Sequence, residues 1–311
     1  MTRKNVYLAY PRGFCAGVRR ALEMVDITLD SWQDTVYILH EIVHNEFVVN
    51  NLKKRGVVFV ERIADVPENG VVVFSAHGVT PAIEAEAAKR HLQMVDATCP
   101  LVKKIHNKAV RLLERGYLIF LIGHRRHPEI QGTLGQLCDQ AFVLESPVDA
   151  IRAVKSIDHD AKAAFLTQTT LTADDTLAIV AELKRYFPDI HGDLDICYAT
   201  ANRQNAIREL AKQCDTVLVI GSPKSSNSNR LREVADHAGA RAFLIRDASE
   251  VTPAMLDGVK NLGISAGASA PEYLVHDLCE HLQFLGWPSP QTIECASETV
   301  NFTIPEIHFM K

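Results

Sequence analysis

The fold class that this 311-residue sequence predicts is α/β, with three similar lobes, each built on a mainly parallel sheet and arranged around a pseudo-threefold axis. Three observations predict it. Short β-branched runs alternate with longer helical patterns along nearly the whole chain, those helical patterns end near Gly, and polar residues recur at strand-to-helix junctions with a period of roughly 90 residues.

Taken in order, "TVYILHE" leads into "NEFVVNNLKKRG", "GVVVFSAHG" into "TPAIEAEAAKRH", "GYLIFLIGH" into "PEIQGTLGQL", and "DTVLVIGS" into "NSNRLREVADHAG". Runs of four to eight apolar residues before a periodic helix are the mark of βα units in a parallel sheet. The expected lobes are residues 15–98, 99–194 and 195–285, the last completed by an N-terminal strand within 1–14. Residues 286–311 form a Pro-punctuated tail packed across another lobe, and the alternation of Val300, Phe302 and Ile304 predicts an edge strand there.

Lys plus Arg is 33 and Asp plus Glu is 38, for a formal charge of −5 and no long run of either sign. A general nucleic-acid binder needs a basic face or tail, so that class is disfavoured. The start, "MTRKNVYLAYPRG", lacks the apolar stretch of a signal peptide, and runs such as "YLIFLIG" are too short to cross a bilayer. The expectation is a cytoplasmic protein with no membrane partner. Seven cysteines without a C-x-x-C pair argue against a disulfide framework, a zinc ribbon or a thioredoxin-type motif. Any thiol chemistry must come from cysteines that the fold brings together.

Ligands of parallel α/β folds sit beyond the carboxyl ends of the strands, so the junctions are the place to search. Cys15 in "RGFCAGVRRAL", Cys99 in "DATCPLVKKIHNKAV" and Cys197 in "DICYATANRQNAIREL" each follow a short extended segment, precede a helix, and divide the chain into rough thirds. A cysteine at a helix start is favoured as thiolate by unpaired backbone amides and the helix dipole. With strand ends pointing inward, the three would converge. Cys138, Cys214, Cys279 and Cys295 lie in helical or apolar stretches and read as small buried hydrophobes. Three thiolates form a metal site one ligand short of closed, which leaves a position for water or substrate.

His44, His127 and Ser225 follow the three cysteines at nearly equal spacing, and His77, the threonines of "TQTT" and Ser269 close the three units. His40, His91, His106, His159, His237 and His276 are expected on solvated helix faces or in loops. "GSPKSSNSNR" puts Ser225, Ser226 and Asn227 at a helix N-terminus, which suits a phosphate or diphosphate, although an N-cap with surplus serines would read the same way. Glu129 in "GHRRHPEIQG" is either a residue compensating the helix dipole or the proton donor of a cavity with no other obvious acid.

The ordered motifs "RGFCAGVRRA", "HEIVHN", "SAHGV", "DATCPLV", "GHRRHPEIQG", "TQTTL", "CYATANRQ", "SSNSNRL" and "GASAPE" closely resemble those of the LytB/IspH family of 4-hydroxy-3-methylbut-2-enyl diphosphate reductases, over about residues 12 to 290. The resemblance implies three α/β lobes around one central 4Fe-4S cluster, held by Cys15, Cys99 and Cys197 with one iron open. It implies that His44, His77, His127, Ser225, Ser226, Asn227 and Ser269 hold an allylic diphosphate. It also implies that Glu129 supplies the proton, that Thr169 stands beside the substrate hydroxyl with Thr170 as its competitor, and that flavodoxin or ferredoxin donates the electrons. Reductive loss of the hydroxyl would then yield isopentenyl and dimethylallyl diphosphates, the last step of the methylerythritol phosphate route. Arg125, Arg126 and Pro223 stand where that family's pattern differs. Two rivals remain at this stage: a zinc hydrolase built on the same thiolates, and a non-catalytic iron-sulfur sensor.

Overall fold

Strands form where the chain concentrates Val, Ile, Leu and aromatic residues, and burial on both faces is what a parallel sheet demands of them. The computed structural model, which describes residues 4–155 and 157–309, contains three sheets in which every strand pair is parallel. The chain contacts divide it into two compact units, residues 1–18, 44–48 and 198–301 in one, and residues 19–43, 49–197 and 302–311 in the other.

The first unit holds a five-stranded sheet of β1 (Asn5–Tyr10), β9 (Thr216–Ile220), β10 (Arg241–Ile245), β11 (Asn261–Ala266) and β12 (Gln291–Glu294), in the order β10-β9-β11-β1-β12. The N-terminal strand sits inside this sheet, with Asn5 opposite Asn261 and Tyr7 opposite Gln291. β9 is buried at every position, and Leu218, Ile220, Ile264 and Leu278 of α11 (Glu272–Phe284) share one core. On the other face, α8 (Tyr198–Ala211) and α9 (Ser226–His237) pack Ile207, Leu210 and Leu231 against Val217 and Val219.

The second unit carries two sheets. One has the order β3-β2-β4-β5, from β2 (Val36–Leu39), β3 (Val58–Val60), β4 (Val71–Phe74) and β5 (Gln93–Asp96). The other is β7-β6-β8, from β6 (Leu118–Ile122), β7 (Ala141–Leu144) and β8 (Ala163–Thr167). The helices α1 (Ala16–Ser31), α2 (Glu46–Lys54), α3 (Pro81–Lys89), α4 (Pro100–Glu114) and α5 (Pro128–Gln136) follow the strands as the periodicity predicts, with α6 (Pro147–Val154), α7 (Ala173–Lys184) and the short α10 (Pro253–Leu256) further along the chain. Pro at the first position of α3, α4 and α5 fixes φ where no N–H partner is lost, so each helix starts just after its strand-end loop.

Four expectations are corrected here. The tail's strand is Gln291–Glu294, and Val300–Ile304 forms no strand. That stretch finds no sheet edge; the Thr303 carbonyl instead accepts a hydrogen bond from the Arg20 guanidinium at 3.0 Å, and Pro305 follows. Cys197 is preceded by irregular chain with one isolated bridge between Ala164 and His191, because the strand that ends this sheet, β8, has already closed at Thr167. Cys138 is exposed rather than buried, since the left-handed turn ending α5 (φ 49°) turns it out of the helix. His106 is 8 % exposed, not solvated, because it lies on the inner face of the amphipathic α4 with Val102, Ile105 and Ala109.

Candidate functional site

Each unit gathers its own set of the expected residues at strand ends. In the first, Cys15 stands between β1 and α1, and the loop before it is fixed by backbone bonds: Gly13 N–H donates to the Ala266 carbonyl (3.1 Å) and Cys15 N–H to Ala268 (3.3 Å). Gly13 has φ 62°, and a Cβ there would lie 3.3 Å from the Ala270 carbonyl, so the sequence needs glycine at this point. Arg12 bridges the same loop to Ala9 (3.1 Å) and to the Glu272 carboxylate (2.5 Å). The Cys15 sulfur accepts from Val18 N–H at 3.5 Å. Tyr198 backs the loop by accepting a hydrogen bond from Ala16 N–H, and burial pushes its phenol up to about 12.

The same unit places Ser225, Ser226 and Asn227 at the start of α9 and Ser269 after β11. Ser225 is the N-cap, its hydroxyl accepting from Ser228 N–H at 3.3 Å. Ser269 donates to the His44 carbonyl at 3.1 Å, which brings His44 to these serines. α9 is drawn close to the strand ends because Gly221 and Gly267 have no side chain: a Cβ at either would fall within 2.2 Å of the Ser228 hydroxyl. Asn227 is 4 % exposed, and neither its amide nitrogen nor its amide oxygen has a hydrogen-bond partner. A buried unpaired amide costs on the order of 1–3 kcal/mol, so its presence marks a place where a polar ligand belongs.

In the second unit, Cys99 is the N-cap residue of α4 and its N–H donates to the Ala76 carbonyl at 3.0 Å, tying the thiol to the loop that carries His77. The His77 and His127 rings meet edge to face with centroids 5.5 Å apart. His127 is the N-cap of α5, its Nδ1 accepting from Glu129 N–H at 3.2 Å. Glu129 is 3 % exposed and is held by Thr169, whose N–H donates to one carboxylate oxygen (2.7 Å) and whose hydroxyl donates to the other (2.8 Å). The next threonine differs: Thr170 accepts from the Gln168 amide at 2.7 Å. Finally, Cys197 N–H donates to the Thr169 carbonyl at 3.1 Å. One continuous chain of contacts therefore runs from His77 through His127, Glu129 and Thr169 to Cys197.

Burial is the dominant influence on Glu129 and raises it to about 7, against the two hydrogen bonds from Thr169, which lower it. A carboxyl that is half protonated near neutrality is suited to give a proton to a leaving oxygen. None of the seven cysteines is in a disulfide, and Cys15, Cys99 and Cys197 are half-buried thiols directly before helices. That donor chemistry fits soft metal ligation, and the Asn227 amide fits an anion.

The model of the LytB protein family matches residues 6–283. The chain belongs to the LytB family. Among other LytB proteins, the 4-hydroxy-3-methylbut-2-enyl diphosphate reductase of Methylococcus capsulatus (strain ATCC 33009 / NCIMB 11132 / Bath) is 49 % identical over 97 % of this chain and 97 % of its own length. The solved structure of the E-1-hydroxy-2-methyl-but-2-enyl-4-diphosphate reductase from Plasmodium falciparum is similar with a TM-score of 0.92 and 34 % identity, covering 97 % of this chain and 96 % of that one. A second solved structure, of (E)-4-hydroxy-3-methyl-but-2-enyl diphosphate reductase, the terminal enzyme of the non-mevalonate pathway, matches with a TM-score of 0.66 and 33 % identity over 90 % of this chain and 99 % of that one.

Sequence reasoning missed two supporting groups of this LytB chain. His106 lies under the His77 loop, its ring within 2.8 Å of where a Gly78 Cβ would stand and 3.4 Å from one at Gly132. Burial lowers it to about 4, so it is a neutral ring at physiological pH. Its spacing from Val102, Ile105 and Ala109 was the available signal. The other is Arg203, fully buried, which no local pattern reveals.

Proposed function

We propose that this chain is a 4-hydroxy-3-methylbut-2-enyl diphosphate reductase, an oxidoreductase that removes the allylic hydroxyl of its substrate as water and releases isopentenyl and dimethylallyl diphosphates. Two electrons and two protons balance the step. The observation that carries the reading is the buried Glu129 carboxyl, held at both oxygens by Thr169 and tuned to about 7, in a chain that is similar over nearly its whole length to named reductases.

In this reading Cys15, Cys99 and Cys197 hold one 4Fe-4S cluster with one iron left open, three ligands being the inventory for an open site. When bound, the cluster supplies electrons and a Lewis-acidic iron for the substrate hydroxyl. Glu129 delivers a proton to the departing oxygen, and Thr169 both orients that carboxyl and stands next to the hydroxyl. His44, His77, His127, Ser225, Ser226, Asn227 and Ser269 bind the diphosphate. Holding it fixes the reacting carbon far from the anchor, so binding energy is turned into orientation. A small redox protein such as flavodoxin or ferredoxin provides the electrons, in the cytoplasm. Among the described residues no helix is long and apolar enough to cross a membrane.

The test is anaerobic purification followed by assay of iron, acid-labile sulfide and turnover of the allylic diphosphate with a chemical reductant. About four irons and four sulfides per chain with turnover are expected. One zinc without sulfide would make the chain a hydrolase, and a cluster without turnover would make it a sensor.

A further inference from the structure

Arg203 is the largest fully buried side chain among the described residues, at 0 % exposure, and it sits on α8 five residues after Tyr198, the helix's first residue. Its guanidinium donates twice to the Gly13 carbonyl, from Nε (3.0 Å) and Nη2 (2.9 Å), and once to the Ala199 carbonyl (2.9 Å). The remaining donors meet Glu298, at 2.8 Å to Oε1 and 3.2 Å to Oε2, with the two side chains 1 % and 7 % exposed. Asn202 adds a bond to the same carboxylate at 3.2 Å. All five donors' directions are thus absorbed by one loop carbonyl, one helix carbonyl and one carboxylate from the C-terminal segment.

We propose that Arg203 and Glu298 form a positioning latch for Cys15. Gly13 lies two residues before the thiol, in a left-handed turn, so a carbonyl pinned by two charged donors sets where the next two residues go. Tyr198 fixes the other side through Ala16. Cys15 is therefore held from both flanks by the helix that begins directly after Cys197. Glu298 has no catalytic chemistry here: it lies beyond β12, and its part is to neutralise a guanidinium that could not otherwise stay buried beside Gly13. The C-terminal segment, through one carboxylate, becomes part of the support of a metal ligand. Outer partners of this kind typically change metal affinity by about 10- to 100-fold when removed.

This inference rests on the assignment of Cys15 as a cluster ligand, and its test separates the two. Replacing one partner leaves a buried unpaired charge and threatens the fold, whereas replacing both by apolar residues of similar size is close to neutral for stability. The decisive protein is the full-length chain with Arg203→Met and Glu298→Leu together. Two quantities are read: the rates at which Cys15 and Cys99 are alkylated in the chelator-treated protein, resolved by peptide mass spectrometry, and the rate of iron release from the anaerobically loaded protein. The latch predicts that Cys15 alkylates about tenfold faster while Cys99 keeps its wild-type rate, and that iron leaves about 10- to 100-fold faster. Equal acceleration of both thiols, or of neither, overturns the proposal. Should the double variant fail to fold, Arg203→Lys keeps a cation opposite Glu298 but cannot set a planar fork on the Gly13 carbonyl; a Cys15-to-Cys99 ratio unchanged from wild type then overturns it as well. Wild-type protein that binds no iron would defeat the cluster assignment alone, because the alkylation ratio is read without metal.

Discussion

Two polar groups, one in each unit, are treated in opposite ways: Asn227 and Glu129. In the first, Asn227 is buried with both amide atoms unpaired, and the hydroxyls of Ser228 and Ser265 are unpaired beside it in the same sheet and helix ends. In the second, the Glu129 carboxylate has both oxygens bonded by Thr169. An unpaired buried amide such as Asn227 is costly until a polar ligand meets it, whereas the paired carboxyl is complete already and needs only burial to tune it. In the proposed reading, the Asn227 amide waits for an anion while the Glu129 carboxyl is already held in place by Thr169. If Asn227 anchors and Glu129 does the chemistry, as proposed, the two functions should fail separately.

The largest effect belongs to the held acid. Glu129→Gln keeps the shape and the Thr169 N–H bond but removes the proton, so kcat is expected to fall about 10²- to 10⁴-fold with KM little changed. Steady-state kinetics on anaerobic protein check this.

The next effect is on stability against pH, measured by denaturant unfolding of the cluster-free chain. Glu129 titrates at about 7 in the fold against 4.5 for an ordinary glutamate, so its contribution is present in full below pH 4.5 and is lost as pH rises through 7. The loss is about 3 kcal/mol at 1.36 kcal/mol per pH unit, and Glu129→Gln should remove it, giving a variant more stable than wild type at pH 8 but not at pH 4. His106 acts with the opposite sign. Its folded value of about 4 lies below the usual 6.5, so stability is present above pH 6.5 and is lost as pH falls toward 4; His106→Gln should flatten that acid limb.

A smaller effect is expected at the open anchor. Asn227→Leu removes hydrogen bonds to a charged ligand, worth about 1.5–3 kcal/mol, and should raise KM about 10- to 100-fold with kcat at saturation close to wild type. Because the amide is unpaired in the free protein, this variant should melt no lower than wild type. Smallest of all, Cys138→Ser alters an exposed thiol and should leave iron content, turnover and melting unchanged.

Much of this was legible in the sequence because its signals are local. Continuous apolar runs of four to eight residues followed by period-3.6 helices mark β2, β4, β6 and β9 with the helices after them, and Pro100, Pro128 and the Ser225 cap mark the helix starts. The motif residues stood at those starts, which is why Glu129 and Asn227 could be singled out. What remained hidden depends on contacts distant along the chain. Glu298 meets Arg203 across 95 residues, so neither carries a sign of the other. The alternation at Val300, Phe302 and Ile304 is that of a strand, yet these residues join no sheet, and local pattern cannot supply a pairing partner. His106 is buried because the Gly78 and Gly132 surfaces close over it, contacts that its place in the sequence does not show.

Calorimetric titration of the allylic diphosphate into anaerobic Glu129→Gln protein, beside its turnover rate, tests the separation of anchoring from chemistry most directly. The account predicts an affinity within a few-fold of wild type and turnover lower by at least about 100-fold. Affinity that falls in step with turnover, or turnover that survives, would contradict it.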